Sequence, residues 1–103
     1  MRLYIDTRSR ESIIISLSKG SETFFTKRSE KKEMTPELAL EFIKKALDEA
    51  SVNLNEITKI EVEKGSGSYT GIRVGVSVAN SLSFALGIPI NEHKISSIVI
   101  PEY

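Results

Sequence analysis

Apolar and polar positions along the chain change period several times, and each change predicts an element. Arg2-Leu-Tyr-Ile-Asp6 is a short apolar run ending in an acid and predicts a first strand. A polar turn, residues 7 to 11, leads to Ser12-Ile-Ile-Ile-Ser-Leu-Ser18, whose β-branched content predicts a second strand. Lys19-Gly20 supplies a tight loop, with Gly where positive φ is needed. Thr23-Phe-Phe-Thr26 predicts a third strand, antiparallel to the second. The charge-rich stretch Lys27–Glu33 then reads as a solvated connector; its alternative reading is a basic contact for a partner or for RNA.

The period lengthens at Thr35-Pro36-Glu37, where an N-cap, a Pro in the first turn and an acid at the positive dipole end predict a helix start. Ala39, Phe42, Ile43, Ala46 and Ala50 recur at helical spacing and form the core stripe of a helix ending near Ala50. Leu38 flanks this stripe on one side, and Leu40 and Leu47 widen it on the other. The resulting apolar arc exceeds the roughly 100° that a one-sided surface helix needs, so Leu40 and Leu47 are assigned to a partner. Thr58–Glu63 alternates and predicts a fourth strand. The glycine loop Gly65-Ser-Gly-Ser-Tyr-Thr-Gly71 follows, then a second helix from Tyr69 or Thr70 to Leu86, stopped by Gly87. Ile88–Asn91 predicts a fifth strand. The order β-β-β-α-β-α-β is that of a single α/β, ribonuclease-H-like lobe, a mixed five-stranded sheet with packed helices, over residues 1–92, with a short tail over 93–103.

The second helix carries no charge after Arg73. At 100° per residue, Val74, Val78, Leu82, Ala85 and Leu86 share one face, with Gly71, Gly75 and Ala79 at its edge. Arg73, Val76, Ser77, Asn80 and Phe84 share the opposite one. A solvated back face normally carries Lys or Glu. Small neutral residues around a Phe and an Arg match the composition of a protein interface instead.

The glycine loop follows a strand and opens a helix, a place where backbone N–H groups can hold an anion. Its glycines, Gly65, Gly67 and Gly71, do not fit a dinucleotide fingerprint, and no Gly-Lys-Ser/Thr follows. They are expected to serve backbone geometry at positive φ, with Ser68 or Thr70 capping the helix. Asp6 at a strand end is a candidate phosphate or metal contact, and equally a turn or capping acid.

Fourteen Lys and Arg offset fourteen Asp and Glu, so no global field favours nucleic acid or an anionic membrane. There is no Cys, which excludes disulfides and thiol chemistry, and the single His93 makes no metal cluster. The uncharged stretch from Val74 up to Glu92 is interrupted by Gly, Ser, Asn and Pro and does not read as a membrane span. With no apolar leader at its start, the chain is expected in the cytoplasm.

Gly65-Ser-Gly-Ser-Tyr-Thr-Gly-Ile-Arg-Val-Gly75, followed by Ala79, Leu82, Ala85, Leu86 and Gly87-Ile-Pro89, resembles the TsaB (YeaZ) family. That family is the dimerisation subunit of the bacterial machinery that makes threonylcarbamoyladenosine in tRNA. Ser66 and Tyr69 stand where the family has Pro and Phe, and Tyr4-Ile5-Asp6-Thr7 resembles its first strand. The resemblance implies an actin-like (ASKHA) fold of two lobes, of which this chain carries the first. It implies a non-catalytic subunit, with no catalytic or metal residues of its own. Its partners would be a TsaD-like enzyme and a TsaE-like ATPase, with tRNA met only through the complex. The sister TsaD family has a His-x-x-x-His metal pair, whereas here His93 is followed four residues later by Ser97. Two alternatives stay open: a nucleotide-binding or nucleotide-hydrolysing lobe using Asp6 and the glycine loop, with ATP or ADP at a partner joint, and a homodimer in which a second copy replaces the missing lobe. A single lobe encloses no cleft, which argues against the nucleotide-hydrolysing alternative.

Overall fold

A computed structural model describes residues 1–91. Strands β1 (Arg2–Asp6), β2 (Ser12–Lys19) and β3 (Glu22–Glu30) are followed by helix α1 (Pro36–Glu49), a 3-10 turn (Leu54–Glu56), β4 (Lys59–Val62) and α2 (Tyr69–Leu86). The sheet order is β3-β2-β1-β4. β1 and β2, and β2 and β3, pair antiparallel, and β4 joins β1 in parallel after the α1 crossover. This is the mixed sheet of a ribonuclease-H-like lobe.

Register explains which side holds the core. Leu3 lies opposite Leu17 and Ile60, and Ile5 opposite Ile15 and Val62, so these side chains stand on one face of the pleat. All six are at most 4% exposed and join Ala39, Ile43 and Ala46 of α1 and Ile72, Val76 and Ala79 of α2 in one cluster. The other face pairs polar residues: Ser16 shares a hydrogen bond with Thr26 (3.0 Å) and Ser18 with Thr23 (3.0 Å), while Arg2 pairs with Glu61 (3.4 Å).

The helix ends follow local chemistry. Thr35 Oγ1 accepts from Leu38 N (3.2 Å) at the start of α1. Gly87, at φ +65, closes α2 in the left-handed conformation that Gly adopts freely. Gly20, at φ +64, turns the β2–β3 hairpin.

Two sequence expectations change. β3 continues through Lys27–Glu30, so half of the supposed connector is strand. An edge strand with a wetted face accommodates charge, and Lys27 pairs across to Glu49 of α1. The fifth strand is reduced to one parallel bridge, Ile60 to Ile90. Pro89 has no N–H to give, and Asn91 turns away at φ +46. The Asn91 side chain then completes the ladder, accepting from Val62 N (2.8 Å) and donating to Val62 O (3.0 Å). The predicted tail, 93–103, and His93 lie outside the described residues.

Candidate functional site

The glycine loop is clasped to the β1–β2 turn. Ser68 N donates to Arg8 O (2.7 Å), and Thr7 Oγ1 donates to Gly71 O (2.6 Å). Ser68, not Thr70, caps α2, accepting from Gly71 N (3.3 Å). The glycines have a different reason from the expected one. Gly65, Gly67 and Gly71 do not lie at positive φ; the loop residue that does is Ser66, at φ +33. A Cβ at Gly67 would meet Arg8 Cβ at 2.7 Å, one at Gly71 would overlap Thr7 O, and one at Gly75 would overlap Thr7 Oγ1. These positions are Gly because two backbones touch there. Gly65 lines the shallow surface beside Asn91.

Asp6 is 8% exposed and engaged on both carboxylate oxygens. Arg8 donates from Nε (3.0 Å) and from its backbone N (3.0 Å) to Oδ1, and from Nη2 (2.9 Å) to Oδ2. Arg8 also reaches Glu63 at 3.5 Å. Burial alone raises the Asp6 pKa, but the hydrogen bonds and charge of Arg8 outweigh it and hold the carboxyl below its ordinary value. Burial, with the charges of Asp6 and Glu63, pushes the Tyr4 phenol up, so it stays protonated and points its OH at Asp6 (3.4 Å). Among the described residues no three His, Cys, Asp or Glu side chains group as metal ligands. Asp6 is thus a turn-holding acid in this structure.

The predicted partner face divides. On α2, Arg73, Ser77 and Phe84 are exposed and Asn80 is half-buried. Phe84 is 79% exposed. Val76, placed on the same stripe by the helical wheel, is buried at 3%. α2 packs on α1 as well as on β1 and β4, so its covered arc spans about 200° at 100° per residue and takes in Val76. On α1, Leu40 is 38% exposed, whereas Leu47 is 5% exposed and belongs to the core. Ala85, which shares a helical face with the buried Val74 and Val78, is itself exposed in the last turn of α2.

Two contributors were not read from the sequence. Leu54, 39% exposed, lines with Leu40 and Leu82 a groove of ≈ 300 Å³ between the helices. An apolar Leu in a short polar connection was its only signal. Tyr69 lies under the Arg73 guanidinium, 5.3 Å from ring centroid to carbon, and accepts from Arg73 Nη1 at 3.0 Å. The (i, i+4) spacing carried that pairing. The surface is therefore an uncharged helix stripe with a bare Phe and an aromatic-stacked Arg at its head, while the apolar groove meets α2 at Leu82 on the opposite side of the helix.

No helix among the described residues is long and apolar enough to cross a membrane. The family model for TsaD, tRNA N6-adenosine threonylcarbamoyltransferase, matches residues 35–98. The tRNA threonylcarbamoyladenosine biosynthesis protein TsaB of Buchnera aphidicola subsp. Schizaphis graminum is 36% identical over 88 residues, 85% of this chain and 41% of the relative. A tRNA N6-adenosine threonylcarbamoyltransferase of Trichlorobacter lovleyi is 44% identical over 54 residues, 52% of this chain and 16% of the relative. The solved structure of YeaZ from Pseudomonas aeruginosa superposes with a TM-score of 0.75 at 26% identity, covering 90% of this chain and 43% of that one. The chain thus spans less than half the length of these relatives. The glycine-loop motif, the β3-β2-β1-β4 sheet and these likenesses agree, and the chain belongs to the TsaB (YeaZ) family.

Proposed function

We propose that this chain acts in threonylcarbamoylation of adenosine 37 in tRNA as a non-catalytic subunit that docks a TsaD-like enzyme. The observation that carries the docking is Phe84, 79% exposed on a helix stripe without charge beyond Arg73. An exposed Phe gains most from a partner that dries it, and depletion of charge around it lowers the cost of desolvation. Leu40 and Leu54 are further exposed apolar side chains, and they line the inter-helix groove that meets α2 at Leu82, on the face opposite Phe84. The non-catalytic part of the reading is supported by Asp6, whose oxygens are taken up by Arg8.

Light scattering of the chain alone, then mixed with the TsaD-like protein of its organism, tests this. The expected result is a heterodimer. Phe84→Ala should weaken it at least about tenfold, since truncating a central aromatic anchor costs ~2 kcal/mol or more. A stable homodimer that refuses the TsaD-like protein would favour a second copy on the same face. A wild-type chain that stays monomeric in the mixture would defeat the docking reading.

A further inference from the structure

Three cations without an ion-pair partner stand together at one end of the molecule, whereas Lys19, Lys44 and Arg73, which also make no ion pair among the described residues, lie singly on β2, α1 and α2. Beyond the last β2–β3 pair, the chain doubles back along the β1–β2 turn: Lys31 N donates to Glu11 O (2.9 Å) and Met34 N to Arg10 O (3.1 Å). These bonds fix the backbones that carry Arg10, Lys31 and Lys32. Lys31 and Lys32 form a common wall between two adjoining cavities of ≈ 380 and ≈ 900 Å³, and Arg10 lines the larger. Arg2, Arg8, Lys27, Arg28, Lys45 and Lys59 each have a carboxylate within ion-pair distance. Arg10, Lys31 and Lys32 make no ion pair among the described residues, and all three are exposed. Glu11 and Glu33 also line the larger cavity, which leaves three cations against two acids.

We propose that this cavity takes phosphate groups of the tRNA strand, an inference that rests on the tRNA-modification reading above. Charge sign and wall chemistry both point to a nucleotide chain. The cations supply phosphate contacts, while Met34, Pro36 and Leu38 give the larger cavity an apolar wall against which a sugar or base can lie. Position matters as much. The larger cavity touches Thr70 in the first turn of α2, and Phe84 lies fourteen residues further on, about 21 Å at 1.5 Å per residue. The cationic cavity and Phe84 thus lie at opposite ends of α2. The zero net charge of the chain is compatible with this, because contacts to phosphate depend on the local cluster rather than the global sum.

The test is anisotropy of a labelled, unmodified tRNA transcript titrated with the chain alone and with the chain plus the TsaD-like protein, over a salt series. The variants are Lys31→Glu/Lys32→Glu and Lys31→Arg/Lys32→Arg, with melting curves to show that both stay folded. Charge reversal should weaken tRNA binding at least about tenfold and flatten the log K against log salt slope by about 1–2, the loss of two phosphate contacts. The Arg pair should bind as the wild type does. Unchanged affinity and slope after charge reversal would overturn the proposal. So would loss of assembly with the TsaD-like protein in the absence of RNA, which would assign the cluster to an acidic protein surface. If the wild-type chain does not assemble at all, the docking reading fails on its own, and the titration of the chain alone still decides this one.

Discussion

At Asp6 two opposed effects act on one carboxyl. Burial disfavours its charge, and Arg8 supplies three hydrogen bonds that restore it, with a net lowering of the pKa. A group whose folded pKa lies below its unfolded value contributes stability above the unfolded value and loses it as pH falls through the folded one. Arg8→Met removes the two side-chain bonds and leaves a carboxylate buried without its counter-ion. At neutral pH it should destabilise the fold by about 1–2 kcal/mol, the lower part of the range for charged hydrogen bonds because the Arg8 side chain is 44% exposed. Both proteins carry the same carboxyls, so the difference between them reports the contacts of Arg8, chiefly the one to Asp6 at 2.9 Å and secondarily the longer one to Glu63 at 3.5 Å. That difference, from urea melts, should shrink between about pH 5 and pH 2 as Asp6 protonates. A difference constant across that range would show that Arg8 acts through packing alone. The sequence placed Asp6 at a strand end but could not show that Arg8 folds back onto it, because an Asp-x-Arg spacing is compatible with many turns.

At the scale of elements, the join between the β1–β2 turn and α2 sets what the glycine loop can do. A methyl at Gly75 falls on Thr7 Oγ1, the hydroxyl that donates to Gly71 O, and a methyl at Gly71 falls on the Thr7 carbonyl. Gly75→Ala and Gly71→Ala should each cost about 1–3 kcal/mol or more through overpacking. Thr7→Ala should relieve much of the Gly75→Ala cost, since the obstructing atom is a side chain, and none of the Gly71→Ala cost, where it is backbone. A double-mutant cycle by thermal melts reads this coupling. An equal cost of Gly75→Ala with and without Thr7→Ala would disprove the side-chain contact. What the sequence made legible here follows range. The helix bounds rest on local caps, Thr35, Ser68 and Gly87, and were read within a residue. Gly67 and Gly71 were assigned to loop geometry, yet their cause is a neighbour some sixty residues away in sequence, which spacing cannot reveal. The charged end of β3 was lost for a related reason, since an edge strand and a solvated loop have the same composition.

For the whole molecule, folding and association draw on different residues of what the helical wheel treated as one face. Leu47 and Val76 are 5% and 3% exposed, and Phe84 and Leu40 are 79% and 38% exposed. The wheel could give the direction of each side chain but not the width of the buried arc, which depends on α1 and the sheet closing around α2 together. Two measurements should therefore separate the four. Leu47→Ala removes core volume and should cost about 2–5 kcal/mol. For a chain of this size each 1 kcal/mol shifts Tm by roughly 4–8 °C, so its melt should fall by about 10 °C or more. Phe84→Ala removes a side chain that touches little of its own chain, and its melt should stay within about 2 °C of the wild type while assembly with the TsaD-like protein weakens. The burial also predicts that Val76→Ala behaves like Leu47→Ala and Leu40→Ala like Phe84→Ala, with smaller amplitudes. A Phe84→Ala chain that melts as early as Leu47→Ala would mean that Phe84 packs within its own fold, and the interface would lose its anchor.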